Sequence, residues 1–280
     1  MAKTESESKE FYSIGEVSKL CNVSKKALRF YDEIGIISPD KVSPTNHYRY
    51  YTRNSLLDLT IVKYYKQMGF KLEEMRGLLN SEEYREMERG FLVKINELED
   101  EQMAVNVKLS SVRDWYELLV EAQTVIENDV REVSVKFVEP QEYGFMEQEF
   151  IADDREAIIN LEWTDYLVSI RNQIIGAVNI SYPSWRDRLD GTCKKMRIMQ
   201  KFFFPSKPEH QIQMGGEMML SCYHIGSHDT LCDTYKKIEN YAAEHNYKLA
   251  EDSWERYVTD CWTTNNSDMY VTEVRIGVTR

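Results

Sequence analysis

The chain has 280 residues, which suits two domains, or one domain with an accessory element. Hydrophobic residues make up 42% and aromatic residues 12%, which excludes a disordered chain, and the absence of any run of about eighteen apolar residues excludes a membrane-spanning helix. The polar opening stretch lacks the apolar core of a signal peptide, and the five cysteines show no paired spacing. We therefore expect a cytoplasmic protein with reduced thiols and a disordered tail over residues 1–10.

Charge is distributed unevenly along the chain, whose formal net charge is -12. Residues 11–71 carry ten Lys/Arg against five Asp/Glu, whereas residues 72–280 carry 23 against 39. A basic segment in an acidic protein favours nucleic acid as the partner at one end and a cation at the other.

Residues 13–35 predict two short helices joined by a tight turn. Ser13 and Glu16 fit a capping box, Ser24 is a good N-cap for the second helix, and Gly35 ends that helix. Apolar residues recur at helical spacing on one side of each helix and leave the cations of the second helix elsewhere on its surface. A helix pair whose second member is cationic at its N-terminal end fits the major groove of DNA.

The segment after the helix pair predicts a β-hairpin and two further helices. The stretch "HYRYY" at residues 47–51 alternates like a strand and follows two prolines, so a hairpin would project His47 and Arg49 beside the helix pair. Arg49 is placed to bind a phosphate. Helices are expected at 53–69 and 71–80.

These segments resemble the DNA-binding domain of the MerR family of transcription regulators over residues 11–80, through "FYSIGEVSKLCNVSKKALRFYDEIGIISP", "NHYRYYT" and "LTIVKYYKQMGFKLEEMRGLL". The resemblance implies a winged helix-turn-helix that binds double-stranded promoter DNA. It departs from many members at Ala27, where they have threonine. The alternative is that the cations decorate a solvated surface. The resemblance assigns DNA contacts to Ser24, Lys25, Arg29, Tyr31, Tyr48 and Arg49, and the residue pattern adds Lys26 and His47.

Residues 81–122 predict one long helix, followed by a linker at 123–130. No proline occurs from 82 to 122, and apolar residues occupy nine of eleven positions of a seven-residue repeat. A homodimer would bury this stripe in a coiled coil, as the MerR family does in an antiparallel arrangement; the alternative is an amphipathic helix packed on its own domain. Residues 22–192 contain no cysteine, so the thiolate ligands of metal-sensing family members are missing there.

Residues 131–280 predict the order strand, helix, strand, strand, repeated twice. The first unit would begin with a strand at 131–138 and contain a helix near 153–174. The second half resembles the GyrI-like effector-binding domain, through "YHIGSHDTLCDTYKKIENYAAEHNYKL", "WERYVTD" and "YVTEVRIGV". The predicted fold class is therefore α+β, with an N-terminal winged helix-turn-helix, a long coiled-coil dimerisation helix and a C-terminal duplicated β-α-β-β ligand-binding domain.

Glu255 is the central candidate for ligand binding. It shares one face of a predicted strand with Tyr257, and a carboxylate buried among aromatic rings is costly unless a cation neutralises it. A cationic aromatic ligand would do so and stack on the rings; the alternative is a structural ion pair with Arg256, Arg275 or another cation. The resemblance places Glu255 at the ligand and Glu273 nearby. Strand position adds four candidate walls: Tyr143, Tyr182, Tyr223 and Tyr270.

The resemblance implies a multidrug-sensing transcription regulator that distorts promoter DNA for RNA polymerase when an effector binds. We expect the effector to be a lipophilic aromatic cation, and we expect no cofactor, resident metal or catalytic residue. One alternative is a hydrolase of small electrophiles with Glu255 as general base and Tyr257 as its helper. Another is a metal-responsive regulator. Four residues suit zinc by type but also fit a strand–turn–helix junction: Cys222, His224, His228 and Cys232.

Overall fold

The structure, a computed structural model, describes residues 10–81, 83–151 and 153–280; the predicted tail lies outside these residues except for residue 10. The chain divides into two compact units, residues 1–103 and 104–280. Among the described residues, no helix combines the length and the apolar character needed to cross a membrane.

The first unit combines a small sheet with short helices. Its strands pair antiparallel in the order β1-β3-β2, and Val42 lies opposite Arg49, so the predicted hairpin is confirmed. Its elements are β1 (Tyr12–Ser13), α1 (Ile14–Leu20), α2 (Lys25–Glu33), β2 (Lys41–Val42), β3 (Arg49–Tyr51), α3 (Arg53–Gln67), α4 (Leu72–Leu79) and the beginning of α5 (Tyr84–Glu127).

Local capping starts the two helices of the predicted pair. The Ser13 hydroxyl accepts from the Glu16 amide at 3.4 Å while the Glu16 carboxylate accepts from the Ser13 amide at 2.9 Å, which is the predicted capping box. The Ser24 hydroxyl accepts from the Ala27 amide at 3.1 Å. Gly35 follows α2 with φ +70°, a left-handed conformation that a residue without a side chain adopts at little cost.

Helix α5 is 44 residues long, which corresponds to about 66 Å. It continues through Glu127, so the first five residues of the predicted linker are helical. Eight apolar residues of its seven-residue repeat have exposed side chains: Tyr84, Ile95, Leu98, Val105, Leu109, Val112, Tyr116 and Leu119.

The second unit holds the end of α5 and one large sheet with short helices. The helix expected near 153–174 is two helices, because the Asn160 side chain accepts from the Trp163 amide at 2.8 Å and starts a new one. Its further elements are β4 (Ser134–Val138), β5 (Gln141–Glu149), α6 (Asp154–Ile158), α7 (Leu161–Ser169), β6 (Ile174–Tyr182), α8 (Trp185–Leu189), β7 (Lys195–Phe202), β8 (Gln211–Met214), β9 (Glu217–Ile225), α9 (Leu231–Glu244), β10 (Lys248–Leu249), β11 (Ser253–Thr259) and β12 (Val271–Thr279).

The sheet is antiparallel, with the order β4-β9-β12-β11-β6-β7-β5-β8 and with β10 paired to β12. It is symmetric about the β6–β11 contact, since β6, β7 and β5 repeat the arrangement of β11, β12 and β9, and α7 corresponds to α9. The predicted duplication is confirmed with one correction: the first half begins with β5, and not with a strand at 131–138. Strand β4 instead borders β9 of the second half, as β8 borders β5 of the first.

Both faces of the sheet are covered near its centre. Helices α7 and α9 pack on the face that carries Glu255 and Tyr257, which we call the α9 face. Ala122 and Val125 of α5 pack on the opposite face, the α5 face. Strand β11 is consequently buried along nearly its whole length.

Candidate functional site

In the first unit, α2 and the hairpin carry the residues predicted to contact DNA. Lys25, Lys26 and Arg29 are exposed on α2, whose first turn has no acidic residue. The Arg49 Nε donates to the Asp32 carboxylate at 2.9 Å, and this bond ties the hairpin to α2. The Arg49 cation is therefore held beside α2.

The remaining four predicted contacts differ in what they expose. His47 lies at the hairpin turn with φ +54°, and Tyr48 beside it is 55% exposed. The Ser24 hydroxyl accepts a hydrogen bond from the Ala27 amide and so caps α2. Tyr31 packs in the core of the first unit with 7% of its surface exposed, so it offers a DNA molecule little beyond its edge.

In the second unit, Glu255 is fully buried on the α9 face and paired with an arginine. The Arg188 Nε donates to Oε1 at 2.8 Å and its Nη2 to Oε2 at 3.2 Å. Tyr235 donates to Oε1 at 2.8 Å and Tyr257 to Oε2 at 2.5 Å. Burial alone would raise the pKa of Glu255, but the Arg188 charge and these bonds outweigh burial and lower the pKa. The carboxylate is ionised and its acceptor positions are taken.

Arg188 occupies the position that the sequence assigned to a cationic guest. Its guanidinium lies 4.8 Å from the ring centroid of Tyr182 and 5.2 Å from that of Phe150. It also donates to Asp154 of α6 at 2.8 Å. Burial raises the pKa of Asp154 to about 6 despite this arginine. The structural ion pair considered for Glu255 is therefore present, with Arg188 as its cation.

Glu273 lies on the α5 face, across the sheet from Glu255. It is opposite Arg256 in the β11–β12 register, and Arg256 Nε donates to it at 2.9 Å. Arg275 donates to it at 2.6 Å, and Lys136 also pairs with it. Burial opposes ionisation, but the Arg275 bond and charge and the other two cations hold the pKa of Glu273 far below its ordinary value.

The seven residues predicted to bind the ligand do not form one pocket, because the sheet separates them. Glu255, Tyr257 and Tyr182 lie on the α9 face, whereas Glu273, Tyr143 and Tyr223 lie on the α5 face. Tyr270 precedes β12 and packs against His228, with ring centroids 5.1 Å apart.

A cavity of about 380 Å³ lies beside these residues in the second unit, and of the seven it includes Tyr257 alone. Trp163, Ile158 and Val178 are buried at its walls, whereas Trp115 of α5 and Trp262 are 43% and 52% exposed. Polar side chains interrupt the apolar lining: Ser111, Asn160, Thr164, Asn172, Gln173, Gln200, Asp260 and Thr263. An apolar, aromatic cavity of this size with a few polar groups suits a drug-sized molecule.

Asp260 is the acidic residue of the cavity lining, and it follows directly on β11. Its Oδ1 accepts from the Trp262 amide at 2.8 Å, and its carbonyl accepts from Thr263 and Thr264. Among the described residues no cation pairs with this carboxylate and no donor binds its Oδ2. Burial therefore raises the pKa of Asp260 to about 6.

The cysteines and histidines considered for zinc make other contacts. The Cys222 thiol donates to the Arg131 carbonyl at 3.3 Å, and His224 binds Thr234 at 3.0 Å. Within the described part of the chain, no group of three or more His, Cys, Asp or Glu side chains is arranged to hold a metal ion.

Arg188, Asp154 and Asp260 were not among the residues predicted from the sequence. Arg188 sits in the charged stretch "SWRDRLD", far from Glu255 in sequence, and offered no periodic signal. The signal for Asp260 was available: the stretch "TDCWTT" puts a carboxylate and a tryptophan directly after a buried strand.

Two family descriptions match the chain. The first is the MerR HTH family of regulatory proteins, which matches residues 12–82. The second is the GyrI-like small molecule binding domain, which matches residues 132–279, just over half of the chain. The fold and the matches together define a regulator class in which a DNA-reading helix pair precedes a small-molecule-binding domain. The chain belongs to the MerR family of regulators with a GyrI-like domain, as its sequence motifs predicted.

Two curated relatives come from Bacillus subtilis (strain 168). The multidrug-efflux transporter 1 regulator is 41% identical over 129 residues, which are 43% of this chain and 46% of that protein, so the match spans less than half of the relative's length. The multidrug-efflux transporter 2 regulator is 22% identical over 272 residues, 90% of each chain.

Similar solved structures include the EcmrR–DNA complex, determined by cryo-electron microscopy in EcmrR-RPo. It has a TM-score of 0.44 and 18% identity and covers 96% of this chain and 100% of that one. The Bacillus subtilis multidrug transporter activator N-terminus, MtaN, has a TM-score of 0.33 and 20% identity and covers 36% of this chain and 94% of that one.

Proposed function

We propose that the protein is a homodimeric transcription regulator that binds promoter DNA through its first unit and changes transcription when an aromatic, cationic small molecule occupies the cavity of its second unit. The observation that carries this proposal is the cavity itself, with Trp115 of α5 and Trp163 in its walls, in a GyrI-like domain that follows a MerR-type helix pair.

DNA binding is assigned to the exposed cations of α2 and the hairpin. Lys25, Lys26 and Arg29 provide positive charge at the N-terminal end of α2, and His47 with Tyr48 extends the surface along the hairpin. Arg49, held by Asp32, links the two elements. Contact with phosphates gives affinity and register, and α2 reads the major groove.

The exposed apolar stripe of α5 supports a dimer. Two copies that pair along this stripe would bury side chains such as Leu109 and Val112 and place two helix pairs on a two-fold-symmetric operator. RNA polymerase is the further partner that we propose, because a regulator that bends or twists its operator acts on how polymerase engages the promoter. Action on promoter DNA also agrees with the cytoplasmic location predicted from the sequence.

Two contacts within the second unit connect the sheet and its loops to α5, and the first of them lies at the cavity. Trp115 and Trp262 meet edge to face with centroids 6.5 Å apart, and Tyr223 donates to Glu121 at 2.8 Å. An effector that binds one arrangement of these contacts better than another shifts α5 toward the conformation that has this arrangement. The conformation of the DNA-binding surface changes with it.

The hydrolase alternative has less support. A general base needs a free acceptor near neutral pH, and both oxygens of Glu255 already accept hydrogen bonds from Arg188, Tyr235 and Tyr257. Curated relatives are described as regulators.

The test is selection of operators from genomic fragments by the purified protein, followed by transcription from a selected promoter with and without tetraphenylphosphonium. We expect binding as a dimer and a change in transcript yield on addition of the cation. A protein that runs as a monomer and ignores duplex DNA at low ionic strength would contradict the proposal. The Leu109→Glu variant tests the role of the dimer, because it should abolish the dimer and the tight operator complex together.

A further inference from the structure

We propose that Asp260 supplies the counter-charge by which the cavity selects its aromatic monocation, and that the effector is held between Asp260 and the tryptophans at the cavity mouth. This inference rests on the proposed function and adds to it the counter-charge and its control by pH.

The argument begins with charge. Among the described residues, the cavity lining contains no Lys, Arg or His, and the titratable residues there are Tyr257 and Asp260. Burial holds the pKa of Tyr257 well above its ordinary value, so that residue is neutral. Asp260 therefore supplies the charge that a bound molecule meets, in a largely apolar space where a single carboxylate acts strongly.

The carboxylate is oriented before any ligand arrives. The Trp262 amide holds Oδ1, and the turn from Asp260 to Thr264 is closed by two backbone bonds of 2.9 and 3.1 Å. Oδ2 has no donor among the described residues. It is therefore the position where a cation gains most, because the cost of burying the carboxylate is offset when its charge is neutralised.

The rings at the mouth match the same guest. Trp115 and Trp262 lie nearly perpendicular, at 84°, and each keeps about half of its surface exposed. Trp163 at the wall donates its Nε1 to Gln200 at 2.8 Å and leaves its apolar ring to the lining. Indole faces bind cations and flat rings better than other side chains do.

Glu255 does not compete for this role, since Arg188 already neutralises it with two hydrogen bonds. Glu273 is likewise paired with Arg256 and Arg275 on the other face of the sheet. Asp260 has no such partner in the described part of the chain, which distinguishes it from both predicted ligand carboxylates.

Protonation of Asp260 would switch the site off. The titratable groups around it are Cys261 and Tyr270. Burial, followed by the Asp260 charge, raises the pKa of Cys261, and burial raises the pKa of Tyr270. The positive charge of Arg155 on α6 acts to lower the pKa of both groups. The lining residues from α5, α7, β6 and β7 bring no titratable side chain. Cation affinity is thus expected to fall as the pH drops through about 6, where burial places the pKa of Asp260.

The full-length protein is titrated with tetraphenylphosphonium and with neutral triphenylphosphine oxide. Calorimetry and tryptophan fluorescence measure the binding. Asp260→Asn is expected to weaken the cation about tenfold or more and to change the neutral probe little. Asp268→Asn is the matched control, since Asp268 is exposed in the same loop and does not line the cavity. Retained binding of the neutral probe shows that the Asp260→Asn variant is folded.

Equal cation binding by wild type and Asp260→Asn, with operator binding intact, would overturn this inference and leave the proposed function standing. Cation affinity that does not change between pH 7.5 and pH 5, values chosen about one unit or more either side of the Asp260 pKa, would also overturn it. If wild type bound neither probe, the proposed effector role would fail, and the inference with it.

Discussion

Arg188 and Glu255 form a buried ion pair with two hydrogen bonds of 2.8 and 3.2 Å, from Nε to Oε1 and from Nη2 to Oε2. The pair joins the short helix α8 to the central strand β11. The aromatic rings and the carboxylate around Arg188 are the groups that a cation-binding site would have. The cation that they surround, however, is the arginine of the protein itself. The cationic effector that we propose would therefore need another counter-charge.

Loss of Arg188 should destabilise the second unit strongly. Arg188→Met leaves Glu255 buried without its cation, and breaking such a pair costs about 3–5 kcal/mol. Urea unfolding of Arg188→Met, of Glu255→Gln and of the double variant measures this, and the double variant should recover part of the loss. Arg186→Met is the control, because Arg186 and Glu251 form an exposed pair worth about 1 kcal/mol or less. Equal effects of the two arginine variants would contradict the role of Arg188.

Asp260 should lower the stability of the ligand-free protein at neutral pH. Its pKa rises from an ordinary value of 3.8 to about 6 in the folded state, so folding favours the protonated form and stability falls as the pH rises between these values. The difference corresponds to about 3 kcal/mol at pH 7. Asp260→Asn should therefore raise the free energy of unfolding at pH 7.5 by about 1–3 kcal/mol and change it little at pH 4. A stability difference that does not vary with pH would argue against a buried, unpaired carboxylate.

Glu121 should transmit the effector signal from the sheet of the second unit to α5. It accepts from the Tyr223 hydroxyl at 2.8 Å and pairs with Arg256, which also holds Glu273. Glu121→Gln weakens these charge-assisted contacts, so we expect effector binding and operator binding to persist while the effector-dependent change in transcription shrinks. Glu117→Gln, exposed one turn earlier, is the control. An unaltered transcriptional response would assign the coupling to other residues.

Arg49→Ala should weaken DNA binding at every sequence. Loss of one phosphate contact lowers the slope of log affinity against log salt by about 1. Lys236→Ala on α9 is a matched charge control in the second unit. Asp32→Asn provides a second comparison, because it frees the Arg49 side chain while keeping its charge. If the Arg49→Ala slope equals that of wild type, Arg49 serves to join the hairpin to α2 and does not contact phosphate.

Local signals in the sequence were sufficient for the main elements of the first unit and for the repeated order of the second. The Ser13–Glu16 capping box, the hairpin and the extent of α5 to within a few residues follow from capping, alternation and periodicity, each read over a short window. The start of the first half of the sheet was misassigned because β4 has a strand pattern but pairs with β9, about eighty residues away. A pattern shows that a strand exists and does not show its neighbour.

The site was harder to predict than the fold for the same reason. Alternation correctly placed Glu255 and Tyr257 on one face, but the register that puts Glu273 on the other face depends on the β11–β12 pairing. The ion partner of Glu255 lies 67 positions away on a five-residue helix. Asp260 acquires its environment from α5, α7 and β6, which converge on the cavity in the folded protein.

A crystal structure of the protein with tetraphenylarsonium tests the central claim most directly, because arsenic gives an anomalous signal that locates the cation. We predict a single peak in the cavity between Trp115, Trp163 and Trp262, within about 6 Å of the nearest ring centroid and close to the Asp260 carboxylate. A peak beside Glu255, with Arg188 displaced from its two hydrogen bonds, would contradict the account.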